Sequence, residues 1–247
     1  MTAGVLLVAH GSHLHAGSSA PAHAHARRLR QQLPSDIEVR TAFWKEEPAL
    51  SRALESFSPA VTDVTVVPLF IAGGYFTRHV IPREMRLSGR LTNFDGRLIR
   101  YVQPIGGHPS LARAIVQRAM EAGATGNEAL VVLGHGTPRD PNSSAHTRLQ
   151  AEHVRHLGAF PEVTAAFIDQ DPNMRDIFTL VKAKDIFMVP LFIADGWHVG
   201  ETIPDDLRLD GAATVREGRS LRFAKAVGTH PAVTEVILEL FAEAAQW

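Results

Sequence analysis

The sequence predicts an α/β protein of two tandem domains, each a four-stranded parallel sheet flanked by helices, with the two domains related by pseudo-twofold symmetry. Three observations carry this expectation. First, the chain repeats itself. "VLLVAHGS" from Val5 returns as "LVVLGHGT" from Leu130, 125 residues on. "PLFIAGGYFTRHVIP" from Pro68 returns as "PLFIADGWHVGETIP" from Pro190, and "YVQPIGGHPSLARAI" from Tyr101 as "FAKAVGTHPAVTEVI" from Phe223, both 122 residues on. Three matches in one order, at nearly one offset, mark a tandem duplication. Second, each copy alternates short strand-like runs with helical ones, which calls for right-handed crossovers and parallel pairing. Third, the strand-like runs are apolar without alternation, as in a sheet covered on both faces. The join falls in "AGATGNE" at 122–128, so the expected domains are 1–124 and 125–247.

The elements follow in order. The run at 5–8 is β-branched and apolar and is bounded by "HGS", which reads as a buried strand ending in a loop. Ser19 and Pro21 open a helix that lasts to Leu33, where Pro34 stops it. A strand at 37–43, a helix at 48–57, a strand at 64–70, a helix around Arg83, a strand at 98–102 and a helix at 110–122 complete the first half. The second half repeats the series: strand 129–133, helix 144–157, strand 163–168, helix 173–181, strand 186–193, a short helix after Pro204, strand 221–226 and helix 232–244.

Composition excludes several classes. The 247 residues are 45% hydrophobic and 21% charged, and the net charge of −1 offers no attraction to nucleic acid or an anionic membrane. No apolar run approaches the roughly 20 residues of a membrane span. The start, "MTAGVLLVAHGSH", lacks a basic n-region and a small-residue cleavage site, so no signal peptide is expected. With zero cysteines there are no disulfides and no thiolate metal sites, and a cytoplasmic location is the expectation. The 13 histidines are the departure from average, five of them at His10, His13, His15, His23 and His25.

In doubly wound sheets, ligands bind beyond the carboxyl ends of the strands. His10 and His135 each follow the first strand of their half, and His198 follows the third strand of the second half, all on that rim. If the two domains face each other, the rim becomes one wall of a cleft. Two imidazoles from two strand ends can hold a divalent metal and leave its other side open. Asp169, in "AFIDQDP", ends the second strand of its half on the same rim; it suits a metal ligand, an orienting carboxylate or a helix cap. Glu201 is a further polar group near His198, or simply an acid in the first turn of a helix. No dinucleotide fingerprint, phosphate loop or nucleophile elbow is present.

At these residues the chain resembles the class II tetrapyrrole chelatases, specifically the sirohydrochlorin cobaltochelatase (CbiX-like) group in its long, duplicated form. The resemblance covers nearly the whole chain. It rests on "LLVAHGS" with its echo "VVLGHGT", on "VPLFIADGWHVGETIP", and on the "GHP" and "THP" turns before each last helix. It implies ATP-independent insertion of a divalent metal, Co²⁺ before Fe²⁺ or Ni²⁺, into sirohydrochlorin, with the metal as substrate and no organic cofactor. It implies one metal-binding histidine from each "HG[ST]" loop and one from the loop after the third strand. His135 and His198 fill both places in the second half, with Asp169 as third ligand, whereas the first half has His10 but Phe76 at the second place.

His79, three residues from that lost place, is the alternate ligand there, alongside Glu201 at the matching position of the second half. Ala194, Asp195, Gly196 and Trp197, with Arg139, are the expected substrate contacts. Arg78 and Arg83 are further partners for substrate carboxylates, and Phe76 offers flat apolar surface. In some long relatives the first half keeps the histidine pair, whereas here the second does. The partner expected is the small-molecule tetrapyrrole alone, with no nucleic acid and no membrane, bound by a monomer that contains its own pseudo-dimer. Two other readings of the same frame stand beside this: a non-catalytic metal-binding or delivery protein, and a different metal-dependent α/β enzyme.

Overall fold

The computed structural model describes residues 2–13, 17–137 and 144–247, with His198 described at its backbone alone. The first half runs β1 (Thr2–Ala9), α1 (Ala20–Gln32), β2 (Glu38–Phe43), a 3₁₀ helix (Leu50–Ser56) and β3 (Val61–Pro68). A π-helical turn (Phe76–Val80) then leads into α2 (Ile81–Glu84), followed by β4 (Leu91–Phe94), β5 (Arg97–Tyr101), a 3₁₀ turn (Ile105–Gly107) and α3 (Leu111–Glu121). The second half repeats it: β6 (Ala129–Gly134), α4 (Ala145–His156), β7 (Glu162–Phe167), a 3₁₀ turn (Met174–Asp176), α5 (Ile177–Leu180) and β8 (Asp185–Pro190). Its π turn (His198–Thr202) enters α6 (Ile203–Leu207), and β9 (Ala213–Arg216), β10 (Arg219–Phe223), a 3₁₀ turn (Val227–Thr229) and α7 (Val233–Ala244) follow.

Each half forms its own sheet, ordered β2-β1-β3-β5-β4 and β7-β6-β8-β10-β9. The four parallel strands are those the sequence predicts, and Val5, Leu6, Leu7 and Val8 of the central β1 are fully buried. The expectation of four strands needs correction: a fifth, β4 or β9, pairs antiparallel at the edge. The cause lies in two tight turns. Asp95 and Gly96 have φ of 50° and 73°, Glu217 and Gly218 have 51° and 73°, and two left-handed residues in succession make the turn that matches a hairpin's twist. A "DG" between strand-like runs is the readable signal for it. The segments expected as helices at 48–57 and 173–181 are shorter: the first is 3₁₀ throughout, and the second starts with a 3₁₀ turn.

The compact units do not coincide with the sequence repeats at 1–124 and 125–247. One consists of 1–108 with 234–247, the other of 109–233, so each half has its last helix in the other unit. Within the first unit, Arg100 on β5 forks onto Asp63 and donates to the carbonyls of Ala244 (3.0 Å) and Trp247 (2.9 Å), satisfying the free end of α7. Buried His25 bonds Thr234 at 2.9 Å, and His108 reaches Glu243 at 3.1 Å. Within the second unit, Arg118 of α3 donates to Thr229 (2.7 Å) and to the carbonyl of Ala226.

Glu128, at the start of the second repeat, is buried yet accepts from the backbone N–H groups of Thr125, Gly126 and Asn127 and pairs with Arg222 at 2.6 Å. Burial pushes its carboxyl up, but the backbone N–H bonds, the Arg222 charge and the Thr125 hydroxyl outweigh it and hold the group below the usual carboxylate range. A depressed folded-state value stabilises the fold above the ordinary carboxylate range, and that stability fades as pH falls through the folded value. Glu128→Gln should therefore cost about 1–3 kcal/mol in urea unfolding at neutral pH. The gap between variant and wild type should close on acidification.

Candidate metal-binding site

Three neighbouring parallel strands, β7, β6 and β8, end on one side of the second unit. His135 and Asp169 come one and two residues after β6 and β7, whereas His198 opens the π turn eight residues after β8. The backbone locks the first two together: His135 accepts at its carbonyl from the N–H groups of Ile168 (3.1 Å) and Asp169 (3.0 Å). Beside them Gly136 sits at φ +67°, and a Cβ there would come within 2.5 Å of Gln170 and 2.9 Å of Phe167. Only glycine meets both demands, which explains "HG" at the strand end. Gln170 completes the turn by accepting from the Thr137 N–H at 2.9 Å.

The His135 side chain is half-exposed, and its Nδ1 lies 2.8 Å from the Gly136 carbonyl. A carbonyl only accepts, so Nδ1 carries the proton in this contact. Asp169 Oδ2 stands 3.4 Å from the same Nδ1, adding negative charge beside the ring. Among the described residues no three His, Asp or Glu side chains converge as a complete metal set. The pair on view is His135 with Asp169.

His198 begins the π turn that follows β8, with Gly200 donating to the Gly196 carbonyl at 2.9 Å. A π turn widens one helical turn and frees backbone groups, and such turns recur at functional sites. The matching turn in the first half starts at Phe76, so the structure pairs His198 with Phe76 as the repeat offset does. The "THP" turn sets the loop before it. Gly228 donates to the Phe192 carbonyl at 2.8 Å, and any side chain at Gly228 would strike the Ile193 backbone. Asp195 accepts from the Ala226 N–H at 2.6 Å, which makes it a brace for this loop as well as a candidate contact. Ala194 and Gly196 flank that brace, Trp197 is 63% exposed, and Glu201 is exposed within the π turn. Arg139 and His15 lie outside the described residues.

In the first unit the corresponding places hold different chemistry. His10 Nδ1 faces the Gly11 carbonyl at 2.7 Å, as in His135, but its ring meets Trp44 (5.1 Å) and Phe76 (4.9 Å) edge-on. His79 is exposed beside Tyr75, with their rings 5.4 Å apart. The sequence reading passed over Trp44, Lys45 and Tyr75. Writing the two copies in register reveals them, because Lys45 then falls opposite Asp169 and Tyr75 opposite Trp197.

The family model for CbiX matches residues 4–122 and again 129–244. The chain belongs to the CbiX family. A probable sirohydrochlorin cobaltochelatase of Halobacterium salinarum is 39% identical to it, across 97% of this chain and 91% of that protein. A sirohydrochlorin cobaltochelatase of Methanosarcina barkeri is 32% identical over 48% of this chain and 95% of its own length, so this CbiX relative is one repeat long. Among solved structures, a multi-domain chelatase-like protein of Deinococcus radiodurans superposes with a TM-score of 0.84 at 29% identity. That alignment covers 97% of this chain and 54% of the larger protein. The CbiX frame thus accounts for nearly every element described above.

Tyr101 shows how the frame holds the first π turn. Its hydroxyl donates to the Thr77 carbonyl at 2.7 Å, and burial pushes its ionisation well above the usual tyrosine range, so it stays a donor. The second half has Phe223 at this place and lacks the bond. Tyr101→Phe should lower stability by about 1 kcal/mol in a denaturant melt.

Proposed function

We propose that this CbiX-family protein inserts a divalent metal, Co²⁺ first, into sirohydrochlorin without ATP, at the rim of its second unit. The observation that supports the reading is that Asp169, His135 and His198 follow three adjacent parallel strands, β7, β6 and β8, with Asp169 Oδ2 3.4 Å from His135 Nδ1. Neutral imidazole suits Co²⁺, Fe²⁺ and Ni²⁺ alike, so the preference for cobalt rests on the names of the curated relatives.

In this reading His135 and His198 take the ion from water, and Asp169 ligates it or steadies the His135 ring. An imidazole released by the departing ion accepts a pyrrole proton. The substrate contacts are Ala194, Asp195, Gly196, Trp197 and Arg139, and the tetrapyrrole is the partner. Both repeats lie on one chain, which supports a monomer. No described helix is long and apolar enough to cross a membrane, and with zero cysteines the reading places the protein in the cytoplasm.

The test is an absorbance time course with purified protein, metal-free sirohydrochlorin and Co²⁺. Acceleration of the spectral change over the protein-free rate is the expected result. The second reading, a metal-delivery protein, draws on the half-exposed His135–Asp169 pair, and Co²⁺ binding without acceleration would select it.

A further inference from the structure

The second unit has a cavity of about 310 Å³ between the segment that follows β7 and the β9–β10 hairpin. Arg219 opens β10 and donates to the carbonyl of Ala183, just before β8. The cavity therefore lies toward the amino ends of these strands, whereas His135 and Asp169 follow carboxyl ends. Arg175, Arg216 and Arg219 line it, with Phe178 and Thr179. Two acids, Asp176 and Glu217, also reach it, and both are exposed.

The three cations differ in what they already hold. Arg175 is neutralised by Asp206 at 2.7 Å. Arg219 directs its donors onto the carbonyls of Phe178, Val181 and Ala183 and so fixes the loop before β8. Arg216 donates to the Leu207 carbonyl at 2.6 Å, which uses one of its five N–H groups. Both guanidinium groups lie near the Phe178 ring, 5.4 and 5.6 Å from its centre. Among the described residues neither pairs with a carboxylate, so both charges stand uncompensated and held in place. The first half shows the same frame without this chemistry. Phe94 pairs with Arg97 across its hairpin as Arg216 pairs with Arg219, and Ser51 and Glu55 take the places of Arg175 and Thr179. Arg97 repeats the clasp onto the carbonyls of Leu54, Phe57 and Ser58. Yet the cavity there, lined by Phe94, Glu55 and Glu84, shrinks to about 70 Å³. The clasp thus belongs to the frame, while the open space and Arg216 belong to the second half.

We propose that this cavity binds the phosphate group of a small molecule, with Arg216 gripping the phosphate oxygens, Arg219 adding charge and the Thr179 hydroxyl donating a further bond. A phosphate presents three acceptor oxygens and nearly two negative charges, which match a guanidinium fork beside a second cation. The volume is at the small end of ligand sites and suits a compact anion. The site is separate from the metal-binding residues and does not depend on the chelatase reading.

Calorimetric titrations of the full-length protein at low ionic strength test it, one with inorganic phosphate and one with glycerol 3-phosphate. Saturable binding is the expected result. Arg216→Phe installs the residue that the first half carries, and it should weaken binding by at least about tenfold through loss of a charge-assisted contact. Thr179→Glu, on an exposed residue and matching Glu55, should weaken it to a similar degree by placing an acid in the cavity, and it keeps the test open if Phe at 216 disturbs the fold. Tighter binding of glycerol 3-phosphate than of phosphate would identify an esterified phosphate as the ligand, and equal binding the free ion. Absence of saturable binding of either probe overturns the proposal. So does an affinity within about twofold of wild type in both folded variants.

Discussion

Replacing His198 with Ala should remove most metal-insertion activity, whereas replacing His10 with Ala should cost much less. A metal site needs at least two converging ligands, and in the second unit His135 and Asp169 follow β6 and β7 directly while His198 opens the turn after β8. Deleting His198 leaves His135 and Asp169, both about half exposed to water that competes for the ion. Loss of proton transfer alone is worth roughly 10²–10⁴-fold, and loss of a ligand adds to it. His10 faces Trp44 and Phe76 rather than a second ligand, so its removal deletes no ligand pair. The check is the initial rate of Co²⁺ insertion with both variants at equal protein. Equal losses would mean that both rims act on the metal, and a larger loss at His10 would move the site to the first half with His79 as its second ligand.

Truncating the chain before Thr234 should unfold the first unit, although that unit's sheet would be intact in sequence. The deleted helix buries Val236, Ile237, Leu240 and Ala244 almost completely. At about 1.5–3 kcal/mol for each fully buried large aliphatic side chain, the loss approaches the whole stability of an ordinary domain. It also strands polar groups: Arg100 loses the carbonyls of Ala244 and Trp247, and buried His25 loses Thr234. Circular dichroism and urea melts of the 1–233 fragment should show loss of cooperative unfolding in the first unit. A native-like transition would mean that the exchanged helix adds little. By the same logic, a chain cut at 122–128 should not yield two separately stable halves.

Much of this architecture is legible in the sequence because it depends on local pattern. The repeats, the buried central strands and the placing of His10, His135 and His198 just after strand ends all follow from short apolar runs broken by glycine and proline. The edge strands β4 and β9 were missed for a physical reason. They are four residues long and partly exposed, so their apolar pattern is faint and their hairpin turns carry the signal instead. The π turns at Phe76 and His198 leave no pattern distinct from an α-helix start.

The sequence by itself determined the duplication, the parallel pairing of four strands in each half, and the family. It also determined that only one half has both histidines, since residue identity at a repeated position needs no coordinates. Tertiary structure decided which helix completes which unit, because α3 and α7 are amphipathic segments that either half could cover equally well. It decided the His135 tautomer, which depends on a carbonyl 2.8 Å from Nδ1. It decided too that Lys45, Trp44 and Phe76 meet around His10, for contacts between residues 34 and 66 positions apart are set by packing and leave no trace in local spacing.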